Sequence, residues 1–282
     1  MGKESISRRR FLEVSGASVV ASAMPGVARE GKAPGASARP NIILFMPDEL
    51  RADALACLGN PVVKTPNFDR LAAEGALFSN CFVQFPVCGA SRCSLLTGWP
   101  TSVRGHRSLF YFLRPDEPNL FKYLKQAGYD VYWYGKNDAL AAESFPESVT
   151  EWDYYGAGAS AQRVARSQNP WPLESPYHYS FLYNESGDRR DTGDYVNVQA
   201  AIRILERREQ DRPFCIFLPL SSPHPPYTAP EGFYDLYDPA SVPTPRPAGL
   251  ARKPNFYQGI RASYHLERLT ERDFRKIHAV YL

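Results

Sequence analysis

The sequence predicts an α/β fold with a largely parallel central sheet sandwiched by helices, and three observations carry that expectation. Apolar runs of strand length alternate along the chain with well-punctuated helices. The runs at 41–46 and 214–218 are apolar at consecutive positions, the pattern of strands covered on both faces. The polar residues with chemical potential stand just beyond such runs, where open α/β sheets place their sites.

The elements follow in chain order. A basic head, Ser7-Arg8-Arg9-Arg10-Phe11-Leu12, precedes a weakly apolar stretch with small-residue cleavage options at Ala21-Ser22-Ala23 and Gly26-Val27-Ala28. This reads as a bacterial secretory signal over 1–28, and the arginine string resembles a twin-arginine signal. The twin-arginine export machinery is then an expected partner, and the periplasm or the extracellular space the expected location. Residues 29–39 read as a flexible linker, which leaves 40–282 as the folded portion.

Asn41-Ile-Ile-Leu-Phe-Met46 reads as a buried central strand ending at Pro47-Asp48-Glu49. Residues 66–75 form a helix with Thr65 as N-cap, Pro66 in the first position and Gly75 as stop. Residues 78–85 are expected to be a strand, and 91–96 a turn or two of helix closed by Gly98. A second helix over 118–128 runs directly into a strand over 129–134. Residues 194–208 place Tyr195, Val198, Ile202 and Leu205 on one helical face, and a buried strand follows at 214–218. Residues 141–193 lack periodicity and read as an insertion; 239–258 read as a Pro-rich loop near a substrate entrance.

Composition narrows the class. The 282 residues are 44% hydrophobic and 22% charged, ordinary for a globular chain. The net charge is only +3, part of it in the first ten residues, so nucleic acid is not an expected partner. No apolar run reaches the roughly 18 residues of a membrane span. Five cysteines without zinc-type spacing make structural zinc an unsuitable reading.

Four polar points remain at the expected strand ends: Asp48-Glu49, Cys88-Gly-Ala-Ser-Arg92, Lys136-Asn-Asp138 and His224 between prolines. Each has an ordinary reading as a cap, a small buried hydrophobe, a surface lysine or a loop histidine. Together they supply hard oxygen ligands for a divalent cation, a helix N-terminus for an oxyanion, and Arg, Lys and His to neutralise and protonate.

Four blocks carry a resemblance: Asn41-Ile-Ile-Leu-Phe-Met-Pro-Asp48, Lys64-Thr-Pro-Asn-Phe-Asp-Arg-Leu-Ala-Ala-Glu-Gly75, Cys88-Gly-Ala-Ser-Arg-Cys-Ser-Leu-Leu-Thr-Gly98 and Gly128-Tyr-Asp-Val-Tyr-Trp-Tyr-Gly-Lys136. From about residue 40 to its end, the chain resembles the type I sulfatases of the alkaline-phosphatase superfamily. The resemblance implies that Cys88 is oxidised by a maturation enzyme to formylglycine, whose hydrate attacks sulfur, with Arg92 beside it. It implies Asp48, Glu49 and the residue-88 oxygen as ligands of one divalent metal, Ca2+ in preference to Mg2+. Lys136 and His224 match the substrate-oxygen and leaving-group positions. The implied substrate is a sulfate ester, such as a sulfated glycan.

Three positions depart from the family pattern. Glu49 replaces the usual Asp, Ala90 the commoner Pro, and Lys136-Asn-Asp138 lacks the histidine of Lys-x-His. Asp138 and His106 are the two candidates for the missing base. The later metal motif and second lysine of the family are not found, so the chain is expected to be an N-terminal portion that is inactive alone. A phosphonate monoester or phosphodiester hydrolase of the same superfamily, and a non-catalytic sulfated-glycan binder, are the competing readings.

Overall fold

The computed structural model describes residues 39–106, 108–155, 169–208, 211–243, 249 and 253–282. The signal expected over 1–28, and the expected linker apart from its last residue, lie outside the described residues. The residues from Pro40 onward form one compact unit.

Strands β1 (Ile42–Met46), β2 (Asp130–Lys136), β3 (Glu151–Tyr155) and β4 (Phe214–Pro219) form one parallel sheet in the order β1-β4-β2-β3. Ile42 lies opposite Cys215, Asp130 opposite Phe214 and Tyr132 opposite Glu151. The α-helices among the described residues are α1 (Pro66–Glu74), α2 (Cys88–Thr97), α3 (Leu120–Gln126), the single turn α4 (Phe145–Ser148), α5 (Gly193–Arg207), α6 (Phe256–Ser263) and α7 (Glu271–Tyr281). None is long and apolar enough to cross a membrane.

The strand pleat sorts the core into two layers. Val131, Trp133, Cys215 and Phe217 face Phe121 of α3, Leu96 of α2 and Phe145 of α4. Tyr132, Tyr134, Ile216 and Leu218 face Ala201 and Ile204 of α5. Helices therefore cover both faces, as the sequence predicts for continuous apolar strands. Trp133 is the centre of the first layer, its ring 4.6 Å from Phe217, 5.2 Å from Phe145 and 5.5 Å from Phe121. Each such buried ring contributes on the order of 2–3 kcal/mol by removal from water.

Several expectations are corrected. β1 is an edge strand, with Ile43 56% and Phe45 45% exposed, because an apolar run signals burial without saying what covers it. Residues 78–85 form no strand; Phe78 and Phe82 are exposed and, among the described residues, no strand lies alongside to accept their backbone bonds. Residues 141–193 are not merely an insertion, since they contribute β3. The buried face of α5 is Asn197, Ala201 and Ile204, while Ile202 and Leu205 are 39% and 41% exposed. The loop expected over 239–258 ends early at α6, and part of it lies outside the described residues.

Candidate active site

The strand ends bring five of the singled-out residues together. Asp48, just past β1, is buried with only 5% exposure. Lys136, the last residue of β2, donates from Nζ to its Oδ2 at 2.5 Å, and Arg92 Nη2 stands 3.3 Å from its Oδ1. Arg92, in the first half of α2, also donates to the Lys136 carbonyl at 3.1 Å. Lys136 Nζ lies 3.2 Å from Asp138 Oδ2, and both side chains act on the Cys88 thiol at the start of α2. Two cations and two carboxylates so neutralise one another around the residue that opens the helix.

Local sequence dictates this placement. Gly135 adopts φ +129°, and a Cβ there would sit 2.1 Å from the Pro219 carbonyl oxygen of β4. Only glycine permits that approach, and it delivers Lys136 to the site. Val87 stands before α2 and offers its first turn no side-chain acceptor, which leaves that turn suited to an anion.

Burial pushes the Cys88 thiol up to about 11, with Asp138 adding to the shift and Lys136 opposing it. The unmodified side chain is thus a neutral thiol and a poor nucleophile at neutral pH. Burial lowers the Lys136 ammonium, but the hydrogen bond to Asp48 and the charges of Asp138 and Asp48 outweigh it, and the net shift is upward.

Glu49 and His224 form a second pair beside the first. Glu49 Oε1 is 3.5 Å from His224 Nε2, and the imidazole Nδ1 meets the Pro225 carbonyl at 2.5 Å. The Asp48 N–H donates to the Ser222 carbonyl at 3.2 Å, which ties the two pairs together. Lys136 and His224 line one cavity of about 1050 Å³ with Tyr183, Arg189, Asp194 and Tyr281.

Asp48 is chemically apt as a hard-cation ligand, but its oxygens face Lys136 and Arg92. Among the described residues no three His, Cys, Asp or Glu side chains converge on a metal position. The donors present do not complete the roughly six oxygen ligands that magnesium or calcium takes. His106 is buried, with Nε2 3.0 Å from Glu117 Oε1 and Nδ1 2.6 Å from the Tyr111 carbonyl. Both its nitrogens are engaged away from Cys88, so Asp138 is the candidate base that stands at the nucleophile position.

Sequence reasoning missed two contacts. The Tyr281 hydroxyl donates to the Glu49 carbonyl at 2.7 Å and accepts the Arg51 N–H at 2.8 Å, next to the φ +61° backbone of Glu49. Asp194 bonds the backbone before His224. Neither leaves a spacing signal, because both act on backbone groups remote in the chain.

The sulfatase family profile matches residues 40–264, and the chain belongs to that family. It is 31% identical over 186 residues to an N-acetylglucosamine-6-O-sulfatase of Bacteroides thetaiotaomicron, covering 66% of this chain and 31% of that protein. It is 29% identical to an ulvan-active sulfatase of Formosa agariphila, covering 79% of this chain and 44% of that one. It therefore spans a third to a half of the length of these curated relatives. The phosphonate monoester hydrolase of Agrobacterium radiobacter superposes with a TM-score of 0.65 at 20% identity, covering 86% of this chain and 56% of that one, a likeness of fold.

Proposed function

We propose that this chain carries the nucleophile side of a sulfuric-ester hydrolase acting on a sulfated glycan. The observation that carries the reading is the convergence of Cys88, Asp138, Lys136, Arg92 and Asp48 at the strand ends of a sulfatase-family domain. The names of the two relatives support the glycan substrate.

In this reading Cys88 is converted to formylglycine by a maturation enzyme, and the twin-arginine machinery exports the protein to the periplasm or beyond. The hydrated formylglycine supplies an oxygen nucleophile and a second hydroxyl through which sulfate is later expelled. Asp138 holds the proton of the residue-88 side chain. Lys136 and Arg92 place positive charge where sulfuryl oxygens gather negative charge. His224 Nε2, on the cavity wall, gives a proton to the leaving oxygen. Asp48 and Glu49 are the expected ligands of a divalent cation, Ca2+ before Mg2+; since the described donors do not complete its shell, no step is routed through it.

Peptide mass spectrometry of protein from its own host, with nitrophenyl sulfate and nitrophenyl phosphonate assays, tests the reading. An aldehyde at position 88, and sulfate hydrolysis lost in Cys88→Ala, are expected. An intact thiol at position 88, or a preference for the phosphonate, overturns it.

A further inference from the structure

Asp194 opens α5 two residues after its N-cap. An acid there is ordinarily explained by the helix dipole. Thr192 already fills the cap, its hydroxyl accepting the Tyr195 N–H, and the Asp194 oxygens go elsewhere. Oδ1 accepts the Ser221 N–H and Oδ2 the Ser222 N–H, each at 2.8 Å. These are consecutive peptides, so one carboxylate fixes the direction of the chain as well as its position.

The segment so gripped joins both halves of the site. The Leu220 N–H donates to the Met46 carbonyl at 2.9 Å, the Ser222 carbonyl accepts the Asp48 N–H, and the Ser221 carbonyl accepts the His224 N–H at 3.0 Å. His224 itself is held only lightly: its ring meets a neighbouring carbonyl and a carboxylate that is half exposed. Its placement in the cavity is set by the backbone turn beneath it. We infer that Asp194 is a positioning residue whose paired hydrogen bonds to Ser221 and Ser222 fix the 221–224 turn and thereby aim the His224 imidazole into the cavity beside Lys136.

The inference rests on the proposed role of His224 as proton donor to the leaving group. Asp194→Asn keeps the shape but turns one acceptor into a donor facing an N–H. In matured full-length chain it should lower kcat/KM about tenfold for an alkyl sulfate and less than about threefold for nitrophenyl sulfate, whose leaving group scarcely needs a proton. In a His224→Ala background it should add nothing on either ester. Asp273→Asn, which weakens the capping box that Thr270 and Asp273 form at the start of α7, is the stability control and should leave the ratio of the two rates unchanged. An equal loss on both esters, or additivity with His224→Ala, overturns the inference. NMR on the same protein without substrate reads the turn directly. Asp194→Asn should shift the His224 ring signals and speed amide exchange at Ser221 and Ser222, and unmoved signals overturn the inference whatever the activity. Moved signals in a protein that hydrolyses neither ester support the positioning role and count against the proposed function instead.

Discussion

Asp48 carries its charge at 5% exposure and depends on Lys136 and Arg92 to hold it there. Removing one partner of a buried pair costs on the order of 3–5 kcal/mol, because the other charge is left uncompensated. Arg92 remains in Lys136→Met, so a loss of about 3 kcal/mol in urea unfolding is expected, at the lower end of that range. Adding Asp48→Asn should recover much of it, since the charge needing a partner is then gone; strict additivity of the two losses would break the argument. The residues of this cluster are legible in the sequence because nucleophile, cation and carboxylate types stand at element boundaries. Asp194 is not, because an acid in the first turn of a helix matches the commonest capping pattern and its targets are bare peptide groups. His106 shows the converse: its residue type suggested chemistry, and Glu117 with the Tyr111 carbonyl gives it a structural role.

At the scale of elements, β2 and β4 meet so closely that Gly135 has no tolerated replacement. A methyl there would lie 2.1 Å from a backbone oxygen, and the φ of +129° is itself a glycine region. Gly98, which closes α2 at φ +72°, has nothing within 4 Å of an added Cβ. Gly98→Ala should therefore cost about 1–2 kcal/mol from backbone conformation alone. Gly135→Ala should cost about 4 kcal/mol or more and yield little soluble protein, because strand backbone has to move. Comparable melting temperatures for the two variants would show that β4 yields easily. The same pair of strands explains what the sequence reveals of the elements. β2 and β4 are buried on both faces, so their apolar runs are continuous and readable. β3 is an edge strand of mixed polarity, Glu151-Trp-Asp-Tyr-Tyr155, and its only signature is pairing with β2. The 78–85 segment has strand composition, but composition supplies no partner strand. In α5 the periodicity is genuine while the buried stripe is rotated, because Asn197 and Ala201 face the sheet in place of larger apolar residues.

For the whole molecule, the two-layer core sets how stability responds to alkali. Cys93 and Cys215 are each 1% exposed, and burial pushes both thiols from 9.0 up to about 12. Burial likewise raises the phenol of Tyr134, with its Glu151 hydrogen bond adding to the shift. A thiol whose folded value is raised stays protonated in the native state while the unfolded chain ionises. The unfolded state then binds fewer protons, and stability falls as pH rises. Below about pH 9 these thiols contribute no pH dependence; between about 9 and 12 each contributes a limiting slope near 1.4 kcal/mol per pH unit. Lys136 acts in the same direction at higher pH, since its raised value lends stability that is present below 10.5 and lost as pH climbs through the folded value. Urea unfolding should therefore give a free energy that is level from about pH 7 to 8.5 and declines steeply from about 9.5 upward. Cys215→Ala should lower the plateau by the packing of one sulfur and make the decline shallower by one thiol's share, whereas changing the exposed Cys81 to Ala should alter neither. An undiminished slope in Cys215→Ala would mean that Cys215 takes no part in the alkaline loss.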